Sequence, residues 1–375
     1  MADPGVAEPR QDVLASARSV AIVRANGLGD LIVAEPALAA VRAAAPRAHI
    51  VLIGGPISVA TLTGRPSPVD EVLLAPPARG VREPTRQAPE DPAATEAFLA
   101  AMRERQFDVA IQLHGGGRSS NPFTAALGAR VTVGTRDHDA PPLDRTVRFD
   151  YWQHEVARFL EVVALAGARP VRVHPHLAVT AADVGAGEQA LREVGVQPAR
   201  PWAVLHPAAT DPRRQWPADR FGQVARALAD QGAQVVVVGT ADERPIADCV
   251  LVAAPGAVDL VGRLPMPALV GVLAGAAVLV GNDSGPRHLA DALGTATVGV
   301  YWFGNLVNAG PIERDRHRVH CSWTVACPVC GAPCVGSRPP PRCPHDVSFV
   351  ADVPVEDVCG SAVAGYAEAV ARRGG

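Results

Sequence analysis

Residues 235–238 are four consecutive valines. A β-branched run without polar alternation marks a strand buried on both faces, as the inner strands of a parallel sheet are. Parallel neighbours cannot be joined by a tight hairpin. Each needs a crossover of a dozen or more residues, usually a helix, so strands must alternate with amphipathic stretches. That alternation is written twice. The first series opens with the strand 19–24, the turn Asn26-Gly27-Leu28-Gly29-Asp30 and apolar residues at helical spacing through Ala45. Strands follow at 49–54, 69–74, 107–113 and 130–133, with a Pro/Arg/Glu-rich surface loop at about 76–93. A helix over 154–166 carries Val156, Phe159, Leu160, Val163 and Ala164 on one face. The second series has strands at 202–206, 234–239, 257–260, 277–281 and 296–300, with helices at 221–231, 267–274 and 286–293. The expectation is an α/β protein of two doubly wound, Rossmann-like domains facing across a cleft, linked near 170–200. We set the segments at 1–18 (tail), 19–180, 181–320, 321–346 (Cys-rich insertion) and 347–375 (C-terminal helical segment).

A chain of 375 residues has length for two or three such domains, and 48% hydrophobic with 19% charged residues is the composition of a globular protein. A formal net charge of −3 offers no footprint for a polyanion, so nucleic acid is not an expected partner. The first residues have no apolar h-region and the longest apolar stretch, 266–280, is interrupted by Pro267, so neither a secretory signal nor a transmembrane segment is expected. We read the protein as cytoplasmic, with peripheral contact to the inner face of the membrane left open. All 35 basic residues are arginine, so any site needing a fixed cation must use a guanidinium.

Three segments carry candidate chemistry. In 278–289 a buried strand runs into Asn282-Asp283-Ser284-Gly285-Pro286-Arg287-His288, and Pro286 in a first helical turn loses no hydrogen bond. Free N–H groups and the helix dipole there suit phosphate oxygens, and the alternative is an ordinary helix capped by Asp283 or Ser284. The turn Gly27-Leu28-Gly29-Asp30 lacks the third glycine of a dinucleotide fingerprint. Asp30 at a strand's carboxyl end is either a general base or a helix N-cap. The stretch 206–217 places Thr210, Arg213 and Arg214 after a strand, as a diphosphate clamp or as a charged surface loop. Five of seven cysteines crowd into one stretch. Cys327, Cys330, Cys334 and Cys343, with Cys321 and His345 nearby, can supply four thiolates to one zinc ion. An iron–sulfur cluster, a disulfide pair or reduced thiols are the alternatives.

These segments resemble glycosyltransferase family 9, the ADP-heptose:lipopolysaccharide heptosyltransferase-like enzymes. The likeness runs over about 20–358 and rests on Gly29-Asp30 with Pro36, on Asp108 to Gly115 with Arg118-Ser119, on Arg214-Gln215-Trp216-Pro217, and on 282–297, where Arg287 and Ala296 depart from the pattern. The resemblance implies a GT-B fold, with an N-terminal acceptor domain and a C-terminal nucleotide-sugar domain. It also implies inverting transfer from a nucleoside diphosphate sugar such as ADP-heptose, with no cofactor needed for catalysis. By that likeness Asp30 is the base and Arg214 neutralises the departing diphosphate. Thr210, Ser284, Gly285 and His288 meet the donor's phosphates, Asp283 belongs to the same donor-binding set, Glu243 meets the ribose and Leu264 the adenine, while Arg118 meets an anionic acceptor. Similar cysteines occur in part of the family, which implies a structural zinc. The acceptor, a glycan, a lipid-linked sugar or a secondary metabolite, is not legible. A GT-B-like sugar-nucleotide epimerase and a non-catalytic nucleotide-binding scaffold are the competing readings.

Overall fold

The computed structural model of the protein describes residues 12–336 and 342–374. The chain divides into two compact units, residues 1–175 and 176–375. In the first unit, β1 (Ser19–Arg24), β2 (His49–Gly54), β3 (Glu71–Leu74), β4 (Val109–Gln112), β5 (Val131–Arg136) and β6 (Arg145–Arg148) form a sheet in the order β3-β2-β1-β4-β5-β6. In the second, β7 (Trp202–His206), β8 (Gln234–Val237), β9 (Val258–Asp259), β10 (Val278–Asn282), β11 (Ala296–Trp302) and β12 (His317–Ser322) run β12-β11-β10-β7-β8-β9. Every pairing in both sheets is parallel. Each unit thus repeats the doubly wound order, which reverses between β1 and β4 and again between β7 and β10. Loops that leave the carboxyl ends of those strands line the crevice where such sheets take ligands.

The inner strands are apolar and fully covered, as the valine run requires. Val235, Val236, Val237 and Val238 are all buried, and Val236 pairs with Val204 of β7. The edge strands β6 and β12, by contrast, read Arg-Thr-Val-Arg and His-Arg-Val-His-Cys-Ser and lack the apolar run that betrays an inner strand. Neither stood out in the sequence for that reason. The helix Glu155–Ala164 buries Val156, Phe159, Leu160 and Val163 as its spacing predicts, and it also buries Arg158 and Val162 while Ala164 faces outward. The helix Pro92–Glu104 begins where the surface loop was expected to end.

The two end segments set apart in the sequence both pack into their units. Leu14, in the tail, is completely buried and its N–H donates to Ala166 O at 3.1 Å. The C-terminal helix Val355–Gly374 supplies Val358, Ala362, Tyr366 and Ala369 to the second core. In that same unit the helices Ala181–Glu193 and Met266–Ala274 cross where Gly187 meets Gly271. A Cβ on Gly271 would stand 2.0 Å from Asp183 O, so only glycine permits the approach. Among the described residues no helix is long and apolar enough to cross a membrane.

Candidate active site

In the first unit the buried Arg24 ends β1 and is spent on the first turns of two helices and the chain just after β4. Its Nε donates to Asp30 O at 3.1 Å and its Nη1 to Leu113 O at 2.8 Å. Its Nη2 donates to Asp30 Oδ1 at 2.8 Å and to Glu155 Oε2 at 3.1 Å. The guanidinium also lies 4.8 Å above the Phe159 ring. Asp30 is the third residue of the helix Leu28–Ala44. It is not the N-cap, a position held by Gly27, yet its Oδ2 accepts the Gly27 N–H at 3.1 Å. One carboxylate oxygen therefore closes the helix and the other is fixed by Arg24. With 38% of the side chain exposed, lone pairs remain for an incoming hydroxyl. His114, just after β4, accepts a long 3.4 Å bond from the Ala25 N–H on Nδ1, which places its own proton on Nε2. Burial, with the Arg24 charge adding to it, pulls the His114 pKa down to about 4 against the opposing pull of Asp30. Arg118 is brought to no such cluster. It is 77% exposed and paired with Asp139.

The second unit gathers most of the residues expected for a donor. Asn282 at the end of β10 is wholly buried, accepting the Trp216 N–H on Oδ1 at 3.0 Å and donating through Nδ2 to Pro207 O at 2.7 Å. It staples both ends of the 207–216 loop. Within that loop Asp211 accepts the Arg213 N–H at 3.1 Å, closing the short 3-10 turn Pro212–Arg214. From this turn Arg214 Nη1 reaches Asp283 Oδ2 at 3.1 Å, and the other carboxylate oxygen meets His288 Nε2 at 3.0 Å. Burial raises the Asp283 pKa, but the His288 hydrogen bond and the nearby positive charges outweigh it, and the carboxyl falls to about 2.

Ser284 occupies the N-cap position of the helix Gly285–Ala292 without a side-chain cap bond. Its hydroxyl is turned instead to His206 Nδ1, at 3.0 Å, and His206 Nε2 lies 3.3 Å from Glu243 Oε2. His206, buried at the end of β7, thereby joins the loop after β10 to the loop after β8. Glu243 also accepts the Thr240 N–H at 2.7 Å. His206 and Thr240 overcome the effect of burial and keep this carboxyl below its ordinary range. The first N–H groups of the helix are left without a side-chain cap, the arrangement an anion uses. Thr210 is exposed on the loop, and Leu264 lies half-buried just before the helix Met266–Ala274.

The cysteine stretch folds back on itself as a knuckle, with Ala326 paired to Pro333 and a turn at Gly331, whose φ is 69°. Cys327, Cys330, Cys343 and His345 each bring one ligand atom within 4.8 Å of the others. Backbone N–H groups of Cys330 and Val329 point at the Cys327 sulfur and hold that thiol down at about 6. Cys334, expected as the fourth ligand, stands outside this group with its Sγ 3.6 Å from Ala332 O. Three thiols and an imidazole suit a tetrahedral zinc or iron ion. The knuckle is fastened to the Arg214 turn: the Phe349 N–H donates to Arg213 O at 2.7 Å, and Arg342 Nη2 lies 3.4 Å from Asp211 Oδ1.

Arg24 and His206 belong to no motif that marks a site residue, and His345 stands in the sequence only as a neighbour of the cysteines. Arg24 and His206 each end an otherwise apolar strand at its carboxyl end, which is the one local sign that could have found them.

Comparison with known proteins places this geometry in a family. The profile described as "Glycosyltransferase family 9 (heptosyltransferase)" matches residues 96–330. Lipopolysaccharide heptosyltransferase 2 of Salmonella typhimurium is 25% identical over 300 residues, covering 75% of this chain and 82% of that protein. The ADP-heptose lps heptosyltransferase II of E. coli superposes with a TM-score of 0.71 at 19% identity, over 94% of this chain and 99% of the other. The iron-containing dodecameric heptosyltransferase TibC of enterotoxigenic E. coli, solved with ADP-D-β-D-heptose, gives a TM-score of 0.55 at 13% identity, over 94% and 77% of the two chains. Two parallel-sheet α/β units of this kind are the GT-B fold.

The depressed His114 pKa sets a pH dependence of stability. The unfolded chain takes up the imidazole proton near the ordinary value of 6.5 and the folded chain only near 4. Stability therefore falls as pH drops through that window and levels off below it. In denaturant titrations His114→Gln should flatten the curve there by up to about 3 kcal/mol. Parallel curves for the two proteins would remove the buried neutral imidazole.

Proposed function

The chain belongs to glycosyltransferase family 9 and is a glycosyltransferase; we propose that it moves a heptose or related sugar from a nucleoside diphosphate donor, with ADP-heptose the first candidate, to a hydroxyl acceptor. The donor class is supported by the names of the E. coli relatives, which carry ADP-heptose. A saccharide of the lipopolysaccharide kind is the acceptor class their names favour. The observation that carries the reading is the Arg214–Asp283 pair beside the uncapped helix at Gly285. It puts a guanidinium, oriented by a buried carboxylate, next to free backbone N–H groups.

In this reading Asp30 accepts the proton of the acceptor hydroxyl while that oxygen bonds to the anomeric carbon and the carbon–oxygen bond to the diphosphate breaks. A single displacement inverts the configuration, by the logic of an inverting glycosidase. Arg24 fixes the base by holding Oδ1, so Asp30 meets the hydroxyl in one orientation. Negative charge grows on the departing diphosphate, where Arg214, the N–H groups at Gly285 and the Ser284 hydroxyl receive it. Glu243, held by His206 and Thr240, offers its carboxylate to the ribose hydroxyls, and Thr210 and Leu264 complete the donor contacts.

Cys327, Cys330, Cys343 and His345 hold a structural zinc or iron ion in this reading. Its contribution is to lock the knuckle, and through Phe349 and Arg342 the turn that bears Arg214. TibC, similar in fold, is described as iron-containing, which agrees with a metal among these four side chains without locating it.

Asp30→Asn should cut transfer by about 10²–10⁴-fold, the usual worth of a general base, with donor binding by calorimetry unchanged. Near-normal turnover sinks the assignment. Arg214→Lys should keep much of the activity and Arg214→Ala lose most of it, about 10²–10³-fold in kcat. Equal rates in the two variants would return Arg214 to the surface arginines. Elemental analysis should find about one zinc or iron per chain, lost in Cys330→Ser and His345→Ala and kept in Cys334→Ser. Metal-free wild-type protein with freely titrating thiols would refute the site.

A further inference from the structure

Behind the Asp283 carboxylate the second unit buries a second layer of charge. Arg287 is fully buried, one residue from His288 on the helix Gly285–Ala292. Its Nη2 donates to Nδ1 of His288, and its Nη1 lies 3.4 Å from Asp291 Oδ2. The guanidinium sits 5.4 Å from the centre of the Tyr301 ring. Asp291 is held in turn by His317 Nε2 at 3.2 Å, and His317 Nδ1 meets Thr297 Oγ1 at 2.9 Å. The network has loose ends, since Arg287 Nε and the Tyr301 hydroxyl are both buried without a hydrogen-bond partner. Burying a cation this incompletely satisfied is a poor way to add stability. The network is instead directional. It ends on Asp283, and Asp283 ends on Arg214.

An imidazole has one donor and one acceptor when neutral, and a donor facing Nδ1 settles which is which. We propose that Arg287 is a positioning residue for sugar transfer: by donating into His288 Nδ1 it fixes the Nε2–H tautomer, which donates to Asp283 and leaves that carboxylate's other oxygen to orient Arg214. The inference deepens the transferase reading and rests on it for the role of Arg214. Arg287 acts twice. It sets the tautomer, and its charge, added to the effect of burial, keeps the imidazole from taking a second proton. The charged and titratable groups acting on His288 are Arg287 and Asp291 on its own helix and Asp283 after β10; one step further out, Arg214 meets Asp283, Tyr301 on β11 faces Arg287, His317 on β12 meets Asp291, and Arg314 acts on Tyr301. Without the Arg287 cation the balance moves toward imidazolium. A charged His288 shares the Asp283 charge with Arg214, and Arg214 is held less firmly.

The test is nitrogen-detected NMR of the histidine rings in the full-length protein, beside pH profiles of turnover. In the wild type His288 should remain a neutral Nε2–H ring from pH 6 to 8. In Arg287→Met it should titrate within that range, and kcat should fall several-fold between pH 8 and 6 while wild-type kcat changes less. Arg287→Lys, which keeps a cation and a donor, should restore most of the flat profile. A wild-type His288 that is doubly protonated or carries its proton on Nδ1 at neutral pH overturns the proposal. So does an Arg287→Met protein whose His288 stays Nε2–H with an unchanged profile. If Arg287→Met does not fold, Asp291→Asn, which removes the carboxylate that seats Arg287, carries the same two readouts. The ring titration needs no turnover, so a failed transferase assignment leaves the tautomer result readable and removes only the kcat arm.

Discussion

Asp283 is a carboxylate taken out of water at the end of a buried strand, and much of the second unit's polar architecture is what makes that tolerable. An ionised group in such a place costs several kcal/mol unless it is paired and hydrogen-bonded. Here the partners come from three directions: His288 along its own helix, Arg214 from a turn 69 residues earlier, and Arg287 behind the histidine. None of these groups could be buried or half-buried alone. Together they form a charged cluster whose open side is a guanidinium, which is the side a diphosphate would meet.

The first unit solves the mirror problem. There the buried partner is a cation, Arg24, and the exposed one is the carboxylate, Asp30. Each unit therefore uses a fully enclosed charge to aim a partly exposed charge of opposite sign. The enclosed member sits at the switch point of its sheet, at the end of β1 or just past β10. A charged group held this way gives up little freedom when a ligand arrives, because its rotamer has been settled by the fold.

How much of this was legible depends on the range of the interaction. The strand Trp202–His206 and the turn after β10 are read correctly because their signals are local: apolar runs, then glycine and proline. The edge strands β6 and β12 carry no such run. Ser284 shows the same division. Its place at the mouth of a helix is visible in sequence, whereas the choice between capping that helix and bonding His206, 78 residues away, is made by tertiary packing. Cysteine spacing marked the knuckle but could not distinguish Cys334 from His345 as the fourth member of the cluster, because the fold of the hairpin decides which side chains converge.

The closing of the Arg214 turn by distant chain has a consequence for how the protein is made. Arg213 O is held by the Phe349 N–H and the Trp216 indole by Val353 O, a partner 137 residues further on. Contacts so far apart in sequence are slow to form and are absent while the chain is still being synthesised. The turn, its supporting strand and Asn282 all emerge well before the residues that seal them. The second unit is thus finished from its last segment backwards, and a chain cut short before Phe349 would leave the Trp216 indole and the Arg213 carbonyl without the partners that seal the turn.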